Sequence, residues 1–177
     1  ECLTIVDDNL KVLYGKSLVE EFKKEDIKLD VVQDQIQYIK NNFDFVLIDI
    51  DTCDVNFILD IFKENVEFVF ILPPEDLKCL QETYATIKYI SKDTPINNIK
   101  IIINKVEDLN SANETYDRLS MVAEKFLSID ISKLGYISKS KLIPESIKSR
   151  VPAISLYEDS EIYKEFKHIL SEIEKNQ

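Results

Sequence analysis

Ile99-Lys100-Ile101-Ile102-Ile103 is a nearly continuous apolar run, and Phe45-Val46-Leu47-Ile48 is another. A half-exposed strand alternates apolar and polar residues, whereas a strand covered on both faces has no solvent side to mark. Both runs therefore read as strands of a parallel sheet, spanning Ile99 to Ile103 and Phe45 to Ile50. Cys2 to Val6, Val66 to Leu72 and the weaker Leu134 to Ile137 read as further strands. Helical stripes lie between and after them. Leu29, Val32, Ile36 and Ile39 form one, and Leu77, Leu80, Tyr84 and Ile87 the next. Tyr116, Leu119, Ala123 and Phe126 follow, then Ile162, Phe166, Ile169 and Ile173. Ser111 with Glu114 reads as a capping box opening the third stripe, and Pro144 suits a first helical turn. Alternating strands and helices predict a three-layer α/β/α fold around a mainly parallel, doubly wound sheet. Ligands of such sheets sit at the carboxyl ends of the strands.

Gly15 and Gly135 are the only glycines, so the punctuation that marks element ends is sparse. No internal repeat, low-complexity stretch or linker divides the chain, and residues 1–177 read as a single domain. A composition of 45% hydrophobic and 31% charged residues is that of a globular chain. A net charge of −11 with scattered lysines excludes a nucleic-acid footprint, which needs clustered cations. No apolar run approaches the roughly 20 residues that span a bilayer, and residues 1 to 20 carry charges where a signal peptide has an apolar core. Cys2, Cys53 and Cys79 have no paired spacing and read as reduced thiols of a cytoplasmic protein. With His168 the only histidine, a transition-metal centre is not expected.

Asn42-Phe43-Asp44-Phe45-Val46-Leu47-Ile48-Asp49 has the form of a Walker B strand. Four apolar residues bring one carboxylate, Asp49, to the strand's carboxyl end, where it can order a magnesium-bound water beside a phosphate. An Asp that merely caps the loop after a buried strand gives the same pattern. Downstream, Phe68-Val69-Phe70-Ile71-Leu72-Pro73-Pro74-Glu75 resembles the strand and Thr-Pro-Glu segment of MinD/ParA ATPases, and Thr83 to Lys88 continues the likeness. Ile101-Ile102-Ile103-Asn104-Lys105-Val106 is similar to that family's strand ending in Asn-Arg-Val. Tyr116 to Ser120 with Val122 to Leu127, Leu134-Gly135-Tyr136-Ile137, and Val151-Pro152 with Tyr157 to Ser160 follow in family order. The tail and Leu10 to Leu18 most resemble the flagellar-number regulators within the family. Order and spacing carry the resemblance, which covers nearly the whole chain.

The resemblance implies a MinD/ParA-like P-loop fold that positions flagella or a division-site structure through protein partners, with ATP or ADP and Mg²⁺ as ligands and a homodimer as the active state. It implies that Asp49 is catalytic and orders Mg²⁺ indirectly. It further implies that Asn104 and Lys105 contact the base, that the loop at Ser138 closes over adenine, and that Lys16 and Ser17 contact phosphate. Membrane contact at the inner face is implied too, although the mixed charges of the last helix, Ser160 to Lys175, fit a core stripe better than a lipid surface. The family's deviant Walker A loop would lie before residue 1, so the expectation is the C-terminal two-thirds of such a protein, or one that has lost the loop. Lys11-Val12-Leu13-Tyr14-Gly15-Lys16-Ser17 keeps both lysines and the serine, but Val12 and Leu13 disfavour the bend a phosphate cradle needs. After Asp49 the chain has Ile50-Asp51-Thr52-Cys53-Asp54 where the family has a small, glycine-containing switch, and its carboxylates oppose a phosphate.

Two other classes stay open. Residues 1 to 95 also resemble a response-regulator receiver, with Asp7 and Asp8 as the acidic pair, Asp49 as phospho-acceptor and Lys92 as the conserved-type lysine. Pro73 stands where a receiver has a hydroxyl, and residues 96 to 177 have no place in it. A nucleotide-free scaffold that binds a protein partner is the third class.

Overall fold

A computed structural model describes residues 3–5, 10–13, 37–39, 41–50, 66–92 and 98–175. The chain divides into two compact units, Glu1–Glu64 and Asn65–Gln177.

In the first unit, β1 (Leu3–Ile5) pairs antiparallel with β2 (Lys11–Leu13). Lys11-Val12-Leu13, a candidate limb of a phosphate loop in the sequence, is thus extended and paired. β-branched Val12 suits a strand better than the bent backbone of an anion cradle. β1 belongs to this two-stranded sheet and does not fill a slot in the parallel sheet. Residues 37–39 and 41–42 are helical, and Phe43 N–H closes the turn on the Ile39 carbonyl at 3.1 Å. Phe45 to Ile50, expected to be a strand, has no regular structure, and Leu47 is 91% exposed. The apolar run favours burial between two layers, but a strand holds only where a neighbour takes its N–H and C=O groups. Among the described residues no strand pairs with it.

The second unit is a mixed α/β structure. β3 (Phe68–Leu72), β4 (Ile99–Val106) and β5 (Ile131–Ser138) form a parallel sheet in that order. α1 (Leu77–Ile90) connects β3 to β4, and α2 (Leu109–Leu127) connects β4 to β5. Right-handed crossovers between adjacent parallel strands put both helices on one face, and they pack on each other and on the sheet. α3 (Leu142–Ser149), α4 (Ala153–Leu156) and α5 (Glu161–Glu174) complete the chain. No helix among the described residues is long and apolar enough to cross a membrane.

β4 is the centre of this unit. Ile99, Ile101 and Ile103 are buried toward α1 and α2, together with Leu72, Ile87 and Leu119. On the opposite face Ile102 and Leu134 pack with Ile169 of α5, flanked by Ile137 and Ile173. Val69 and Ile71, the residues of β3 on that second face, stay exposed. The helical stripes are rotated from their sequence reading. Thr83, Ile87 and Ile90 are the buried residues of α1, and Ala112, Thr115, Leu119 and Ala123 those of α2. Leu77, the first residue of α1, and Phe126, near the end of α2, are exposed instead. The capping box at Ser111 and Glu114 is also corrected. Asp108 is the N-cap of α2, its carboxylate taking Ser111 N–H at 3.0 Å, which lets the helix start a full turn earlier.

Two features let α5 lie close to the sheet. Leu134 is an extra residue in β5, since Lys133 pairs with Ile101 and Gly135 with Ile102. The bulge bends the strand and is followed by Gly135, at φ +156°. A Cβ there would meet Ile169 Cγ1 at 3.0 Å and His168 Cδ2 at 3.5 Å. The side of β4 that faces α5 also buries Lys100, whose Nζ lies 2.6 Å from Glu67 Oε2. The ammonium is out of line for a directed hydrogen bond, so the attraction is Coulombic, and Glu172 of α5 also feels its charge.

Two predictions follow from this packing. Gly135→Ala should destabilise the unit by about 1–3 kcal/mol in urea denaturation, with partial recovery when Ile169→Val makes room. An unchanged midpoint would show that the close approach is slack. Glu67→Gln should cost about 1–2 kcal/mol by stranding a buried ammonium, whereas Lys100→Met should stay within about 1 kcal/mol, because Glu67 can reach water. Equal costs would mean that the pair is not asymmetric.

Candidate site at the carboxyl edge of the sheet

The loops that leave β3, β4 and β5 share one edge, and each is polar or charged. Leu72 leads into Pro73-Pro74-Glu75-Asp76, Val106 into Glu107-Asp108, and Ser138 into Lys139-Ser140-Lys141. Adjacent loops are tied together. Lys139 N–H donates to the Val106 carbonyl at 2.8 Å, and the Lys139 ammonium pairs with Glu107. Glu75 N–H donates to Thr115 Oγ1 at 3.3 Å, and Ser111 Oγ donates to Glu75 Oε1 at 2.9 Å.

Two of the four described non-glycine residues with left-handed backbone lie here. Glu75 has φ +62° and Lys105 φ +63°. For a residue with a Cβ this left-handed conformation costs on the order of 1–2 kcal/mol. Lys105 is the extra residue of a second bulge, because Asn104 pairs with Ile137 and Val106 with Ser138. Asn104 Oδ1 accepts the Lys105 N–H at 2.8 Å, which steadies the bulge. The Asn104 carbonyl oxygen is therefore engaged with its neighbour's backbone, while the amide NH₂ has no hydrogen-bond partner among the described residues. Lys105 is exposed.

Ser138 ends β5, and both of its donors are taken. Its N–H donates to Glu165 Oε2 at 2.9 Å and its hydroxyl to Glu165 Oε1 at 2.5 Å. Glu165 comes from α5 and is only 7% exposed. One carboxylate thus fills the end of β5 from within the chain. The N-termini of α1 and α2, which would otherwise attract an anion, are occupied in the same manner. Asp76 caps α1 by accepting Cys79 N–H at 2.9 Å, and Asp108 caps α2. Burial, reinforced by Asp76, raises the pKa of the Cys79 thiol.

Asn104, Lys105 and Ser138 are thus brought to neighbouring strand ends, as their order along the sheet requires. Asp49 lies in the first unit, within the irregular and exposed 43–50 segment. Lys16 and Ser17 lie outside the described residues, as do Asp7, Asp8, Asp51 and Asp54. Among the described residues no group of three or more His, Cys, Asp or Glu side chains is arranged to hold a metal ion. The sequence reading missed Glu165 and the Glu75–Ser111–Thr115 cluster. Glu165 did leave a signal: it falls three residues after Ile162 and four before Ile169, a carboxylate inside an apolar stripe.

Glu165→Gln, which retains only one acceptor oxygen, should destabilise the unit by about 1–2 kcal/mol, and Ser138→Ala by about 1 kcal/mol. A double-mutant cycle should show them coupled. Additive losses would mean that the two side chains act independently.

Compared with known proteins, the chain matches no family model and no curated protein.

Proposed function

We propose that this chain is a MinD/ParA-like regulator of flagellar number or placement, or of a similar polar or division-site structure. It acts through a protein partner, and its carboxyl-edge site is degenerate for nucleotide. The resemblance in segment order supplies the family, and the parallel sheet is compatible with it. One observation carries the degenerate reading: the Ser138 donors, at the position where the family closes a loop over adenine, are consumed by the buried carboxylate of Glu165. A nucleotide entering there would have to displace that carboxylate and would meet Glu75, Asp76, Glu107 and Asp108 nearby, whose charges oppose phosphate. If nucleotide does enter, Asn104 and Lys105 contact the base. Among the described residues the receiver reading rests on Asp49 and Lys92.

A thermal-shift titration separates these readings. A ligand at 100 times its Kd stabilises a fold by about 2.7 kcal/mol, or roughly 5–10 °C for a chain of this size. No shift is expected with Mg·ATP, Mg·ADP, or Mg²⁺ with beryllofluoride. A nucleotide shift abolished by Asn104→Ala would overturn the degenerate site and restore an ATP-binding one. A beryllofluoride shift lost in Asp49→Ala would instead support the receiver. The positional role has its own test: a fluorescent fusion should gather at a pole or division site. A uniform distribution, with normal flagellar number in a deletion strain, would sink it.

A further inference from the structure

The α3–α4 element differs from the rest of the chain in charge. Residues 139–156 contain Lys139, Lys141, Lys148 and Arg150 against Glu145 alone, a local net charge of +3 in a chain of −11, so the remainder carries −14. Lys139 is paired with Glu107, but Lys141, Lys148 and Arg150 are exposed and form no ion pair with any described residue. Elsewhere Lys78, Arg118, Lys164 and Lys175 have a carboxylate partner, whereas Lys88, Lys92 and Lys105 are exposed without an ion pair among the described residues, so the segment is set apart by its net positive charge.

Apolar side chains are interleaved with these free cations. Ile147 is 71% exposed, and Val151 and Ile154 are exposed as well. At about 100° per residue, Lys141, Ile147 and Lys148 fall within a sector of roughly 120° on α3. α4 packs beside α3, its Ala153 buried and its Ile154 outward, and Tyr157 donates to Glu145 at 3.2 Å. That bond occupies the one acid of the segment. Arg150 ends α3 in the left-handed conformation at φ +57°, a position that favours glycine. The result is one surface on which aliphatic groups and unpaired cations alternate.

We infer that the α3–α4 surface docks an acidic amphipathic segment of a partner protein, in which carboxylates alternate with aliphatic side chains. Charge complementarity selects the carboxylates, and the exposed Ile147, Val151 and Ile154 require an apolar counterpart. An anionic lipid surface offers the same two chemistries but fits less well. The exposed apolar groups Ile147, Val151 and Ile154 are aliphatic, and the neighbouring Tyr157 is half-buried with its hydroxyl on Glu145 rather than free to anchor at headgroup depth. The inference gives the partner-binding reading its partner chemistry and rests on that reading only for the existence of a partner. The groups it tests, Ile147, Lys148 and Arg150, lie beyond the carboxyl-edge loops, so nucleotide binding can fail or succeed without touching them.

The test is selection of displayed random 12-residue peptides against the whole chain, followed by affinity measurement on synthetic copies. Enriched peptides should be rich in Asp or Glu interleaved with Leu, Ile or Val. Lys148→Glu combined with Arg150→Glu should weaken them at least tenfold, and Ile147→Ser several-fold, with melting temperature unchanged. Peptides without acidic bias, or affinities indifferent to these substitutions, would overturn the inference. Co-sedimentation with phosphatidylglycerol vesicles, lost in the same variant and absent with phosphatidylcholine, would overturn it in favour of a lipid surface.

Discussion

β4 is buried on both faces, and the second unit is organised around that requirement. A strand of eight residues with isoleucine on both sides can leave water only if a layer covers each face. The two right-handed crossovers supply one layer, since α1 and α2 follow directly from the strand order. The other must come from further along the chain, and α5 provides it. Its approach depends on Gly135, where any side chain would meet Ile169, and on the bulge that precedes it. The same burial has a cost at Lys100, where the second face of β4 carries a cation. Glu67 limits that cost.

Seating α5 on β5 also shapes the carboxyl edge. The helix that buries Ile169 against Ile102 and Leu134 delivers Glu165 to the end of β5, where both Ser138 donors meet it. Packing and polar satisfaction are therefore one event. A ligand competing for Ser138 must loosen the apolar contacts of α5 as well as replace two hydrogen bonds. The neighbouring caps at Asp76 and Asp108 have no such link to the core and are local to their own helices.

Scarcity of glycine explains much of what was hard to read. Glu75, Lys105, Ser128 and Arg150 hold the left-handed conformations that glycine normally marks. Ser128 and Arg150 end α2 and α3, so neither helix end was announced by its residue type. β3 and β4 were nevertheless legible as strands from their apolar runs, although only β4 is covered on both faces, and β5 was legible only in Leu134 to Ile137. β4 and β5 proved longer than their apolar cores, since Asn104 to Val106 and Ile131 to Lys133 gain strand geometry from pairing rather than from composition. Phe45 to Ile50 was misread for the complementary reason: its composition suits a buried strand, and no described strand pairs with it.

By itself the sequence determined the α/β class, the alternation of elements in the second unit, and the placing of Asn104, Lys105 and Ser138 at strand ends. These follow from local periodicity, which covalent geometry imposes on any chain that buries one stripe or face. Tertiary structure alone decided the strained bulge at Lys105, the capture of Ser138 by Glu165, the burial of Lys100 beside Glu67, and the clustering of unpaired cations with exposed aliphatic groups on α3 and α4. Each of these joins residues through space, and nothing in the spacing of either partner specifies the distance between them.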